Sequence, residues 1–148
     1  MIVAGNIIDK YGEKLIDLPN VEYLGYVSQH ILFDRIKNCS GIFSLYDPNL
    51  DINRIAASNK LYDGLMLGVP IITNSEIVAA NFVEENKIGI TLPFIYNQEW
   101  SKIIDLKETD ILEMGLKGRK LYEERFSYEK NYIQNLDYLL ENLCIKNF

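Results

Sequence analysis

Lys60 and Asp63 are the residues of this sequence best placed to do chemistry, in the run Asn59-Lys60-Leu61-Tyr62-Asp63. A polar loop, Tyr46 to Ser58, leads into a helix predicted over 60–67 and closed by Gly68, a natural C-terminal glycine. A helix N-terminus presents unpaired N–H groups and the positive end of the dipole, which suits a diphosphate. Lys60 in the first turn adds a full positive charge. With no anion there, that charge beside the dipole is unfavourable by about 0.3–1 kcal/mol. Asp63, one turn on, is a short carboxylate able to accept two hydrogen bonds from a ribose diol. The plain alternative is an amphipathic helix with Lys60 and Asp63 as an exposed i,i+3 ion pair, and spacing alone favours it.

The elements that must position these groups alternate between strand and helix. Ile2-Val3-Ala4 reads as a buried strand ending at Gly5. A helical stretch over 6–17 is broken by Pro19-Asn20, and Val21-Glu22-Tyr23-Leu24 is a second strand stopping at Gly25. Ser28 can N-cap a helix carrying Ile31, Leu32 and Ile36, and it places His30 in the first turn. Strands are predicted over 41–45, 69–73 and 88–92, with a helix over 77–85. The remainder reads as three helices over 98–105, 110–125 and 128–143. Strands that are apolar along their length and alternate with helices imply α/β architecture: a Rossmann-like, doubly wound parallel sheet with C-terminal helices. Ligands in such sheets bind outside the carboxyl ends of the strands. That singles out Gly5-Asn6, Gly25-Tyr26, Tyr46-Asp47 and Asn74-Ser75.

Composition narrows the function classes. The 148 residues suit one domain with one core, 48% of them hydrophobic and 24% charged. A net charge of −6 excludes a general affinity for nucleic acid, which needs clustered Lys and Arg, but leaves room for a small anion. No apolar run reaches the roughly 18–20 residues of a membrane span, and Met1 to Gly5 lacks the basic flank of a signal peptide. Cys39 and Cys144, far apart, are expected as reduced thiols of a cytoplasmic protein. With His30 the single histidine, neither a His-based metal centre nor a His-dependent triad is expected. Asp47-Pro48-Asn49-Leu50-Asp51 is not an Asp-x-Asp motif, and its acids read as turn formers. No residue stands out as a general base.

The run Asn59-Lys60-Leu61-Tyr62-Asp63 through Gly68-Val69-Pro70-Ile71-Ile72 resembles the donor-site segment of GT-B glycosyltransferases, notably glycosyltransferase family 4. Asn20-Val21-Glu22-Tyr23-Leu24-Gly25-Tyr26-Val27 is similar to that family's strand and turn. Ile77-Val78, Val83-Glu84-Glu85 and Gly89-Ile90 resemble its downstream segment, and Lys120 to Glu129 its closing helix. The likeness runs through nearly the whole chain, its pieces in the family's order. It implies the C-terminal, nucleotide-sugar-binding domain of a retaining glycosyltransferase that uses a nucleoside-diphosphate sugar and no metal or other cofactor. Matched by motif position, Asp63 takes the ribose-binding place and Lys60 lies near the donor phosphates, with Asn59 beside it. Gly25 and Tyr26 form the turn against the nucleobase, Gly5 a close backbone approach, and Asn74-Ser75 the loop beside sugar and phosphate.

The likeness departs from the family in places. The ribose position is Asp63 rather than glutamate, and Ile55 stands where many members carry a second glutamate two turns upstream. The chain is expected to be a donor domain lacking its first strand, with the acceptor-binding domain absent. The acceptor is a glycan, a lipid or a protein, and the full-length protein would sit in the cytoplasm or peripherally at the inner face of the membrane. Leu136, Leu139, Leu140 and Leu143 form a stripe at helical spacing that reads as core, with a dimer surface as its alternative. Two other classes compete with a transferase. A nucleotide-sugar 2-epimerase needs several acid and base groups, against which His30 stands alone. A flavodoxin- or receiver-like interaction module needs an acidic cluster after its first strand, where this chain has Gly5-Asn6.

Overall fold

The computed structural model describes residues 1–143, so Cys144 and the side chain of Leu143 lie outside the described residues. The chain divides into two compact units, Met1–Asn38 and Cys39–Phe148. The sequence reading treats these as one domain around one sheet. Among the described residues, five strands pair into two parallel sheets, of two and three strands, and the mixed α/β class holds.

In the first unit, β1 (Ile2–Val3) pairs with β2 (Glu22–Tyr23), Ile2 opposite Glu22 and Val3 opposite Tyr23. Between them α1 (Lys10–Ile16) begins at Asp9, whose carboxylate accepts the Tyr11 and Gly12 N–H groups at 2.9 and 2.8 Å. This cap starts the helix later than the expected residue 6. Helix α2 (Gln29–Ile36) starts at Ser28, as expected. Its Arg35 meets Glu22 of β2 at 2.5 Å. His30 is exposed on α2, 3.4 Å from Asp34. No residue of this unit is fully buried.

The second unit is built on β3 (Ile42–Ser44), β4 (Ile71–Asn74) and β5 (Gly89–Leu92), hydrogen-bonded in that order. The central strand β4 is buried at every position, as a sheet covered on both faces requires. A short α3 (Asp51–Ile55) interrupts the expected loop and is followed by α4 (Asn59–Leu67). Leu61 and Leu65 of α4 pack with Ile71, Val83, Ile88 and Leu121 into one core. Helix α4 ends at Gly68 in the left-handed conformation at φ 68°, which favours glycine there. A Cβ on Gly89 would lie 1.9 Å from the Ile71 carbonyl oxygen, so β5 closes onto β4 only with glycine at that position.

Helix α5 (Val78–Asn86) precedes β5, and a 3₁₀ turn (Gln98–Ile103) replaces the first of the three expected terminal helices. Helix α6 (Glu108–Leu121) packs along α4 and runs into a π-helical turn, Tyr122–Phe126. That turn swings Phe126 edge-on to Tyr62 and Phe82, at ring separations of 5.4 and 6.0 Å. A second π-helical turn (Glu129–Ile133) leads into α7 (Gln134–Leu143). The leucine stripe expected as core is not buried: Leu136, Leu139 and Leu140 remain 41–45% exposed. Among the described residues, the main contacts of α7 are those to the π-helical turn before it. Among the described residues, no helix is long and apolar enough to cross a membrane.

Candidate functional site

Parallel strands bring their carboxyl ends to one edge, and in the second unit that edge carries a continuous polar network. Beyond the end of β3, the backbone N–H of Tyr46 donates to Asn74 Oδ1 at 2.9 Å. Asn74 Nδ2 donates to Glu76 Oε2 at 3.2 Å, and the Glu76 carboxylate accepts the Phe94 N–H at 2.9 Å, beyond the end of β5. One amide and one carboxylate thus tie together the loops that follow all three strands. Asn74 is wholly buried, and among the described residues every buried side-chain nitrogen and oxygen has a partner. Burial alone would raise Glu76. The hydrogen bonds from the Phe94 N–H and the Asn74 amide outweigh it, holding the carboxyl below its ordinary value.

The same edge fixes the start of α4. The Tyr46 hydroxyl lies 2.9 Å from Ser58 Oγ, and that oxygen accepts the Lys60 N–H at 3.1 Å as the helix N-cap. The Leu61 N–H goes to the Ser58 carbonyl at 3.0 Å. The helix start is therefore largely satisfied from within, more so than the spacing implies, and the Asn59 N–H is left without a partner among the described residues. The Lys60 Nζ stands 5.4 Å from the centre of the Tyr46 ring, within cation–π range.

The Lys60–Asp63 ion pair that their spacing permits is not formed. Lys60 is drawn to Tyr46, and Asp63 has no hydrogen bond or ion pair among the described residues. Desolvation by burial raises the Asp63 carboxyl above its ordinary value. A cation and an uncompensated carboxylate thus sit on the first turns of one helix.

The residues expected at the site fall into two groups. Asn59, Lys60, Asp63, Asn74 and Ser75 all belong to the second unit. Asn59 and Lys60 are exposed, and Ser75 is an exposed residue whose N–H donates to the Leu92 carbonyl at 2.8 Å. Asn74, expected in the loop after its strand, is instead the last residue of β4, and its side chain is engaged by protein at both ends. Gly5, Gly25 and Tyr26 belong to the first unit, where the Gly5 N–H donates to the Gly25 carbonyl at 2.8 Å. Both glycines have positive φ, 116° and 65°, and a Cβ on either would meet nothing within 4 Å. Tyr26 is 85% exposed.

Asp47 accepts the Asn49 N–H at 2.9 Å as a turn former, in line with the sequence reading. The sequence singles out Tyr46 by its place after a strand, but not the bonds that Tyr46, Ser58 and Glu76 make here. Ser58 carried a signal, since a serine directly before a helix is a favoured N-cap. Tyr46 and Glu76 carried none beyond their place after a strand. No family model matches the chain, and no curated protein matches it.

Proposed function

We propose that this chain binds a nucleoside-diphosphate sugar and serves as the donor-binding part of a retaining glycosyltransferase. The observation that carries the reading is the pair of unmatched charges on α4. Lys60 is held away from Asp63 at the helix start, and Asp63 is partly desolvated without a partner. A bound nucleotide would answer both. Its diphosphate takes the Lys60 ammonium, the Asn59 N–H and the helix dipole, and its ribose diol gives the Asp63 carboxylate two donors. The parallel sheet supports the reading, because the polar network lies at its carboxyl edge, where α/β folds bind ligands. The sequence likeness to GT-B donor domains supports it too, and it makes the Rossmann-like arrangement part of the proposal.

In this reading Asn74 and Glu76 hold the loops in place, and Ser75, exposed beside them, contacts the sugar. The sequence likeness assigns Gly5, Gly25 and Tyr26, all of the first unit, to the nucleobase, and Tyr26→Ala tests that assignment by itself. The departing diphosphate is stabilised by Lys60 and the helix dipole. The acceptor and any group that activates it belong to a separate domain or subunit.

The test is a thermal-shift series with UDP, GDP and ADP on wild type, Lys60→Ala and Asp63→Ala. Saturation at about 100 times Kd stabilises a protein by about 2.7 kcal/mol, a readily measured shift. At least one nucleotide should stabilise the wild type, and both variants should lose most of that shift. Equal responses in all three proteins would refute the site.

A further inference from the structure

Resting on the nucleotide-site reading, we propose that Tyr46 is a positioning residue that sets Lys60 and the start of α4 for the anionic donor. Three contacts converge on this one side chain and its backbone. Its N–H is fixed by the buried Asn74 at 2.9 Å, so the residue is anchored to the sheet rather than to the loop it begins. Its hydroxyl reaches Ser58 Oγ at 2.9 Å, and that oxygen is the cap that accepts the Lys60 N–H. Its ring carries the Lys60 ammonium at 5.4 Å from the centroid. One residue therefore holds both the backbone and the charge of Lys60.

The alternative for Lys60 is visible in its own helix. Asp63 is three positions on, the spacing of an ordinary helical ion pair, and among the described residues the pair is not made. An ammonium collapsed onto Asp63 would neutralise both groups proposed to bind the nucleotide. By holding the ammonium on its ring, Tyr46 keeps the two charges separate. A ring quadrupole suits this task better than a carboxylate would. It attracts the cation weakly enough for a diphosphate to draw it away.

The experiment compares wild type, Lys60→Ala, Tyr46→Phe and Tyr46→Leu by calorimetric titration with UDP, GDP and ADP. The acylation rate of the Lys60 amine, followed by mass spectrometry without nucleotide, is the second readout. Tyr46→Phe keeps the ring and loses the hydroxyl; affinity should fall about three- to tenfold, the worth of one hydrogen bond, with Lys60 acylation unchanged. Tyr46→Leu loses both, and affinity should fall more than about tenfold while Lys60 is acylated several times faster or slower than in wild type. A fold made merely looser would not spare Lys60 in one variant and alter it in the other.

If Lys60→Ala weakens binding and both Tyr46 variants bind within twofold of wild type, Tyr46 has no positioning role and the donor site stands. Weakened binding by Tyr46→Leu with unchanged Lys60 acylation also overturns the role. If no nucleotide binds wild type, or Lys60→Ala binds as wild type does, the donor-site reading fails and the role of Tyr46 fails with it.

Discussion

The two units of this chain reach stability by different means. Cys39 onward has a central strand buried at every position and a core in which Val83 and Leu92 are wholly inaccessible. Met1–Asn38 has two-residue strands, two helices and no fully buried residue. Its order rests on local devices: the Asp9 cap, the Arg35–Glu22 ion pair and the Tyr23 hydroxyl on the Gly5 carbonyl at 2.7 Å. Capping bonds and exposed ion pairs contribute about 1 kcal/mol apiece, whereas burying a leucine contributes about 1.5–3 kcal/mol. The proposed phosphate and ribose contacts, Lys60 and Asp63, lie on the unit with the buried core. Backbone amides of β2 should exchange with solvent faster than those of β4, as hydrogen exchange would record.

The largest expected effect is in the core. Leu65→Ala should destabilise the second unit by about 2–5 kcal/mol, read from the urea midpoint, because Leu65 is 1% exposed and the surrounding residues can close the cavity only in part. Asn74→Ala should cost about 1–3 kcal/mol, since it leaves the part-buried Tyr46 N–H without its acceptor. It should also weaken nucleotide binding, which Leu65→Ala should not do while the protein stays folded. On the other unit Asp9→Ala should cost about 1 kcal/mol and act only locally, visible as faster exchange in α1. A global loss of several kcal/mol from Asp9→Ala would show that the contrast between the units is false.

The same contrast separates what the sequence shows from what it hides. Ser28 and Gly68 are helix signals whose partners lie within a few residues, and both ends fall where the sequence places them. The bond from Tyr46 to Asn74 spans 28 residues, and Lys60 stands over the Tyr46 ring rather than against Asp63. No local pattern encodes that choice. In the expected 128–143 helix, Leu136, Leu139, Leu140 and Leu143 recur at helical spacing and read as core. Whether such a stripe is covered depends on what packs there, and nothing among the described residues covers this one. Alternation and apolar strands imply a doubly wound parallel sheet, but they do not specify whether β1–β2 and β3–β4–β5 join. Lys60 and Asp63 were legible as chemistry, but the hydroxyl and amide that hold their neighbourhood were not.

The smallest and most discriminating effect concerns Asp63. Its pKa is raised by burial, so the folded protein holds this proton more tightly than the unfolded chain does. The associated stability is fully present below the unfolded value and lost as pH rises through the folded one. At pH above its raised pKa the nucleotide-free protein carries a carboxylate that has no partner among the described residues, and there Asp63→Asn should raise the Tm slightly. A ribose diol donates to the ionised form, so binding should release a proton when the pH lies near the Asp63 pKa. Affinity should then fall as pH drops through that value, by up to about tenfold per unit below it. Glu76 moves the opposite way: its pKa is lowered, and its stabilising clamp on Phe94 fails only as pH falls below the ordinary glutamate value. Titrating nucleotide binding against pH in wild type and Asp63→Asn distinguishes the two. The variant should bind weakly with little pH dependence near the Asp63 transition. A variant that keeps the wild-type pH profile would place the ribose elsewhere, and the desolvation of Asp63 would then be a consequence of packing alone.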